Sequence, residues 1–486
     1  MKSKTPKEAY LIIDIGTGNA RAAVVSPESE VLGIYRENVI YHKDPQYPEA
    51  LFFDPAHLWR QVCSIAVNAI RIAGNPSILA VTSTSQREGI VLLDRSGNAL
   101  IGLPNIDHRG REWEEAFGDR SRIYRLAGRY PTSLFSVMKL HGIRERRQDI
   151  WQQLDTFTSI SDWIGYQLSG ITGYEHSQAS ETLLYDVAHK CWSDELCRRY
   201  DIDLALLPPL VDSGTLLGVI QPQVAEMLDV SPNAGIVVGG GDTQLAILGA
   251  DPDTDDIVIV SGTTTPVIKL TDQYITDPQE RTWTGRHIDK SSFMFEANAG
   301  VTGLNYQRLK EIFYPNEGYT TIEKELSELQ YFQCIASLGS LLADERSPLT
   351  KGGFIFDAPV SHQLTRAGFV WATLWDIACS INENYNTLLR VSTHNKDYIW
   401  ACGGGMESHT LRLFIAELTG KKVRMRDNYT QSSAVGGAIL CNKALGCDAA
   451  TPSSASEVIP GSDKNYHAWY TQWKNTRSSL RQIFTT

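Results

Sequence analysis

The 486-residue chain is long enough for two or three domains, and a hydrophobic share of 42% with 21% charged residues is that of an ordinary globular protein. The net charge of −11 comes without runs of like charge, which argues against the basic clusters that bind nucleic acid or anionic membrane. No apolar run reaches the roughly 20 residues that cross a bilayer, the eight cysteines form no Cys-x-x-Cys pair, and Met1–Pro6 lacks the apolar stretch of a secretory signal. A cytoplasmic protein with reduced thiols is expected, with a small-molecule partner and neither nucleic acid nor membrane. A homodimer is compatible with the sequence.

In chain order, Tyr10–Ile13 reads as a strand that runs into the turn Asp14-Ile15-Gly16-Thr17-Gly18, then into a second strand, Ala20–Val25, and a third, Val31–Tyr35. An acid at a strand end can hold a metal ion, and small residues in the turn let backbone N–H groups approach a phosphate. Apolar spacing predicts a helix over Leu58–Ala73 and a strand over Ile78–Ser83. Gln86-Arg87-Glu88 follows that strand. Its Arg donates and its Glu accepts, a pair able to grip vicinal hydroxyls or simply to form a surface ion-pair cluster with Asp107 and Arg109. Phe157–Ile160 reads as a strand, and Ser161-Asp162-Trp163 begins an amphipathic helix to Gly170, where Asp162 could equally serve the helix dipole.

Ile236–Val238 leads into Gly239-Gly240-Gly241-Asp242 and a helix over Thr243–Gly249. Asp242 is either an N-cap or a base able to take a proton from an attacking hydroxyl. The polar stretch Asp251–Asp256 marks a boundary. Beyond it the logic repeats: Ile257–Val260, the small hydroxylic turn Ser261-Gly262-Thr263-Thr264-Thr265, then Val267–Leu270. Asn298, Gly300 and Gly303 form a polar turn that could line a cleft. Tyr398–Ala401 runs into Gly403-Gly404-Gly405-Met406 and, past Ser408, a helix to Gly420, again strand, glycine turn and helix. Gly436-Gly437-Ala438 reads as a tight helix-packing segment.

Two phosphate hairpins and an adenine-sized glycine shelf describe the actin-like ATPase superfamily. The whole set resembles the FGGY family of carbohydrate kinases over most of the chain, least so across Thr271–Leu342 and after Gly446. The resemblance implies an α/β fold of two actin-like (ribonuclease H-like) domains whose mixed sheets flank a catalytic cleft. Residues 8–249 would form the sugar-binding domain and 250–486 the nucleotide-binding domain. It implies ATP and Mg²⁺, with Asp14 on the metal side, Gly16, Thr17, Gly18 and Asn19 around the terminal phosphates, and Arg21 supporting them. Asp242 would be the catalytic base, with Arg87, Glu88, Asp107, Arg109 and Asp162 on the sugar. Gly262, Thr263 and Thr264 would form the second phosphate loop, and Gly404, Gly405, Met406 and Ser408 the adenine shelf.

Glycerol kinases and autoinducer kinases carry an Arg-Glu where Arg87-Glu88 stands, while xylulose kinases usually carry Met-His. Together with Ser161–Gly170 and Ser213–Asp242 this looks closest to the autoinducer kinases. The implied activity is phosphorylation of a primary hydroxyl on a small sugar, ketose or polyol of pentulose or tetritol size, with a linear dihydroxy ketone as a special case. The family's Arg-x-Pro is kept as Arg346-Ser347-Pro348, but Trp375-Asp376 stands where Glu-Gly is usual. The helix carrying Asn382, Glu383 and Asn384 is then either a core helix packed by Trp371 and Trp375 or an altered nucleotide grip. The alternative function is a catalytically altered actin-like ATPase, or a sugar-binding protein without kinase activity.

Overall fold

The structure, a computed structural model, describes residues 7–484 apart from 48, 290, 330, 346, 449–453 and 462–464. Met1–Pro6 and Arg346 of the Arg-Ser-Pro motif therefore lie outside the described residues.

The opening strand is apolar throughout because both its faces are covered. β1 (Glu8–Ile15) pairs antiparallel with β2 (Asn19–Val25), and β2 with β3 (Val31–Asn38). Helix α1 (Pro55–Ile72) follows. It starts a turn before the expected Leu58, because the Asp54 carboxylate caps the N–H groups of Ala56 and His57 and Pro55 needs no partner at the first position. β4 (Ser77–Ser85) lies parallel to β1. Side chains alternate across β1. Ala9, Leu11, Ile13 and Ile15 pack with Leu58, Val62 and Ile65 of α1 and with Ile160, Trp163 and Ile164 of helix α2 (Ile160–Ser169). Tyr10 and Ile12 face the opposite layer. The sheet is completed by β5 (Leu216–Val219) and β6 (Gly235–Gly241), in the order β5-β6-β4-β1-β2-β3. Helix α3 (Asp242–Ala250) leaves β6 with no intervening loop.

The second sheet repeats this plan. β7 (Ile257–Val260) and β8 (Thr264–Thr271) form its hairpin, extended by β9 (Trp283–Arg286) and β10 (Phe293–Val301). After the long helix α4 (Arg366–Val391), β11 (Tyr398–Cys402), helix α5 (His409–Thr419) and β12 (Lys422–Arg426) add the parallel strands. Helix α6 (Ser432–Leu445) and the edge strand β13 (Ala455–Val458) follow, giving the order β9-β10-β8-β7-β11-β12-β13. Each sheet thus has an antiparallel meander, two parallel strands and an antiparallel edge strand. This is the duplicated architecture expected from the two hairpins.

A cut at 249/250 divides the chain but not the cores. α3 buries Ala246, Ile247 and Ala250 against Val258, Val260, Ile268 and Trp400 of the second sheet. α6 returns to the first sheet, where Ala434, Ala438 and Cys441 pack with Tyr10, Ile12 and Ala80, and the Tyr10 hydroxyl donates to Asn442 Oδ1 at 2.6 Å. The two helices cross backbone against backbone. A Cβ on Gly436 would stand 2.0 Å from the Leu245 carbonyl oxygen, and one on Gly249 2.1 Å from that of Ser432.

An insertion after β4 carries a three-stranded sheet of Ile90–Leu93, Ala99–Leu103 and Thr156–Ser159. The last of these stops before the expected Ile160, because the Ser159 hydroxyl accepts from Asp162 N and starts α2. The insertion reaches the second sheet. Thr284 N donates to Gly128 O at 2.8 Å, and the Tyr124 hydroxyl to Thr282 O at 2.9 Å.

The crossing predicts that G436A forces α3 and α6 apart, at about 1–3 kcal/mol of overpacking. A lowered thermal unfolding midpoint in calorimetry is expected; an unchanged midpoint would show that the helices separate freely.

Candidate active site

The strand ends of both sheets open into one cleft of about 2820 Å³. Gly16, Thr17, Gly18 and Asn19 line it as the β1–β2 turn, closed by Gly16 N donating to Asn19 O at 2.9 Å. The turn is pinned from outside: the Tyr41 hydroxyl donates to Thr17 O at 2.8 Å and Asn105 Nδ2 to Thr17 Oγ1 at 3.0 Å.

Asp14, at the end of β1, also faces the cleft. Its Oδ2 accepts from Arg21 at 2.5 Å and from Ser433 Oγ at 3.0 Å. Arg21 donates further to Gln431 Oε1 and Ser433 Oγ. Arg21, itself in the cleft lining, thereby ties β2 to the start of α6 and orients Asp14. Asp242 stands at the first residue of α3, partly open to the cleft. Desolvation, reinforced by the Asp14 carboxylate and opposed by the Arg87 charge, pushes its pKa up to about 6. The Thr243 N–H and hydroxyl both donate to Oδ1, leaving Oδ2 to a ligand. The three glycines before Asp242 have negative φ, so they do not serve a left-handed turn. They permit close approach: a Cβ on Gly239 would stand 1.8 Å from the Ser83 carbonyl oxygen of β4.

Among the described residues no cluster of three or more His, Cys, Asp or Glu side chains could hold a metal ion. Mg²⁺ commonly uses one or two carboxylates and takes its other ligands from phosphate and water. Asp14 fits that demand, with Oδ1 uncommitted beside a second carboxylate that its charge already perturbs.

Across the cleft, Gly262, Thr263 and Thr264 form the β7–β8 turn, closed by Gly262 N donating to Thr264 O at 3.0 Å. The glycine shelf packs directly on it. Gly403 has φ +96°, and its Cβ would stand 2.3 Å from Ser261 O; Gly405 N donates to Ser261 O at 3.0 Å. Gly404 lines the cleft, and a Cβ there would meet nothing within 4 Å. Ser408 also lines the cleft, whereas Met406 does not. Met406 buries its side chain fully in the second core. Ser408 caps α5, accepting from Leu411 N while donating to Glu323 at 2.5 Å, so its hydroxyl is already engaged at the shelf edge. Asn298, Gly300 and Gly303 all line the cleft.

Of the residues expected to hold the acceptor, Arg87 and Glu88 are in the cleft lining. Arg87 makes a bidentate pair with Glu296 of β10, Nη1 to Oε2 at 2.6 Å and Nη2 to Oε1 at 3.0 Å. Glu181 lies 3.7 Å from Arg87 Nη1 and is gripped by Arg129. Burial raises the Glu88 pKa and lowers that of Lys139, the two facing each other with Asp107. Asp107, Arg109 and Asp162 do not reach the cleft. Asp107 is fully buried, accepting from Arg109 Nε at 2.7 Å and Leu51 N at 2.9 Å, and Arg109 is also near Asp44. Asp162 lines a separate cavity of about 10 Å³ and accepts from Ser159 Oγ and Glu175 N. These side chains satisfy one another because an isolated buried charge is costly.

Helix α4 is a core helix. Trp371 and Trp375 pack with Phe332 and Phe414, and Asp376 accepts from Trp473 Nε1 at 2.8 Å and Leu338 N at 3.2 Å. Asn384 accepts from Ala343 N and donates to Leu341 O, so α4 supports a cleft-lining segment. Glu296 and Asn105 went unrecognised in the sequence. The signal for Glu296 was a carboxylate inside the apolar strand Phe293–Ala299.

Residues 9–249 match the N-terminal domain, and residues 338–445 the C-terminal domain, of the FGGY family of carbohydrate kinases. A Bacillus subtilis protein described as "Putative sugar kinase YoaC" is 46% identical over 97% of both chains. An autoinducer-2 kinase of Photorhabdus laumondii is 25% identical over 94% of this chain and 90% of its own. The xylulose kinase structure from Lactobacillus acidophilus superposes with a TM-score of 0.84 at 16% identity, covering 98% of this chain and 99% of the other.

The shelf contacts predict a split between neighbouring glycines. G405A places a Cβ 2.1 Å from Ser261 Oγ and is expected to lower the thermal midpoint, whereas G404A has open space and is expected to leave it unchanged. Equal melting curves for the two variants would contradict the packing.

Proposed function

The chain belongs to the FGGY family of carbohydrate kinases and is a phosphotransferase acting on an alcohol group; from that premise we propose that it moves the γ-phosphoryl group of ATP to a primary hydroxyl of a small ketose or polyol. The observation that carries this reading is Asp242, a carboxylate with pKa about 6 at a helix start between two phosphate hairpins.

The acceptor lies against Arg87 and Glu88, with its hydroxyl toward Asp242. Oδ2 of Asp242 takes the hydroxyl proton as the oxygen bonds to the γ-phosphorus and the bond to the ADP oxygen breaks. A base with a pKa close to the working pH is ionised and still a useful proton acceptor. Backbone N–H groups and hydroxyls at Gly16–Asn19 and Gly262–Thr264 bind and orient the phosphates, which is most of what phosphoryl transfer requires. Mg²⁺ at Asp14, when bound, would neutralise charge on the phosphate oxygens. Asp107 and Arg109 brace the wall from behind, and Asp162 braces the sheet beneath Asp242. Closure of the domains would exclude water from the transferring group.

Asn105, His108, Tyr130, Thr132 and Trp283 line the same cleft as Arg87 and offer donors and acceptors suited to a hydroxyl-bearing acceptor. The similarity to an autoinducer-2 kinase and the Arg87-Glu88-Gly89 sequence support a linear dihydroxy ketone as one candidate.

ATP consumption is expected to rise with at least one member of a panel of small ketoses and polyols; stimulation by none would overturn the kinase reading. D242N is expected to lose at least ~10² in turnover, as for a positioned base, while retaining ATP binding by calorimetry; full turnover would remove Asp242 from the role. Because the protonated carboxyl cannot accept a proton, kcat/KM should fall about tenfold per unit as pH drops below about 6. A flat profile from pH 7 to 5 would contradict the assignment.

A further inference from the structure

Arg87 is the cation of the acceptor wall, yet its charge is already matched. Its two terminal nitrogens both meet Glu296, which comes from the other domain and is 2% exposed. Asn298 Nδ2 donates to Glu296 Oε1 at 3.0 Å and holds that carboxylate in place. Behind this pair Arg129 grips Glu181 and donates to Thr284 O at 2.8 Å. Two guanidinium groups thus face two carboxylates, and the cluster carries no net charge. Lys139 is fully buried, donates to Leu134 O, and sits between Asp107 and Glu88. Burial and the Lys139 charge hold His108 neutral, with a pKa near 4. What the wall still presents to an acceptor is carboxyl groups rather than a free cation: Glu88, whose pKa burial pushes up to about 8, and Asp242.

Resting on the kinase reading above, we propose that Glu296 sets the charge selectivity of the acceptor site. By saturating Arg87 from across the domain interface, it restricts the site to uncharged ketoses and polyols and turns away sugar acids. A carboxylate on the acceptor would be desolvated beside Asp242 with both terminal nitrogens of Arg87 already committed to Glu296, so nothing on this wall would offset its charge. Glu296 acts through Arg87 and is a positioning residue.

The test compares kcat and KM of the full chain for its best uncharged acceptor and for the aldonate of equal carbon number. The wild type is expected to prefer the uncharged acceptor by at least ~10² in kcat/KM. E296Q keeps the shape and removes the charge. It is expected to shrink that preference at least tenfold, chiefly by lowering KM for the aldonate. E296D is expected to keep the wild-type preference, and the double variant R87Q/E296Q to restore it by removing the freed cation. A folded E296Q with an unmoved ratio overturns the proposal. Should E296Q not fold, a wild-type ratio near one overturns it equally. A wild type that phosphorylates no acceptor fails the kinase reading and this inference with it, whereas a neutral-sugar kinase with an unmoved ratio fails this inference alone.

Discussion

The crossing of α3 and α6 is the contact on which the rest of the molecule depends. Gly249 and Gly436 let the two helix backbones meet, and each helix covers the sheet of the other half. The consequence is chemical as well as mechanical. α3 begins with Asp242, and α6 begins beside Ser433, which donates to Asp14. One close-packed crossing therefore sets where Asp242, the proposed base, stands relative to Asp14, the proposed metal-side carboxylate. Larger residues at either glycine would separate both pairs at once.

Electrostatics divides the cleft into two unlike ends. At the phosphate end, Asp14 and Asp242 approach closely enough that one raises the pKa of the other, an arrangement suited to a site that receives a cation with its nucleotide. At the acceptor end, charge is balanced internally by Arg87 with Glu296 and Arg129 with Glu181. A polyol needs donors and acceptors in fixed directions rather than net charge, and paired groups supply that. The pairs also link residues of the two halves along the wall of the cleft, so the proposed acceptor site draws on both even though its recognisable motif lies in one.

Much of this was legible in the chain. The hairpins at Asp14–Asn19 and Ser261–Thr265 and the glycine turns before Asp242 and Ser408 are local features, and the structure has them where apolar runs and small residues put them. The duplicated sheets followed from two such hairpins a domain apart. The glycines before Asp242 serve a contact that the sequence did not announce, the close approach of β6 to β4. Asp107, Arg109 and Asp162 carried the right residue types but face inward, because each found a partner in the insertion or on the loops beside it. Trp375-Asp376, an apparent loss of nucleotide grip, proved to be core packing that holds the cleft wall at Leu338–Ala343.

By itself the sequence determined the backbone devices: two phosphate turns, a glycine shelf, a carboxylate at a helix start, and the family that these together indicate. Such devices depend on steric freedom and strand periodicity within a few residues, which composition and order carry directly. Only the tertiary structure decided which charged side chains face the cleft and which are neutralised. Arg87 and Glu296 stand 209 positions apart, and nothing local to either announces the other. Their pairing follows from where the turn after β4 in one half and strand β10 in the other end up across the cleft.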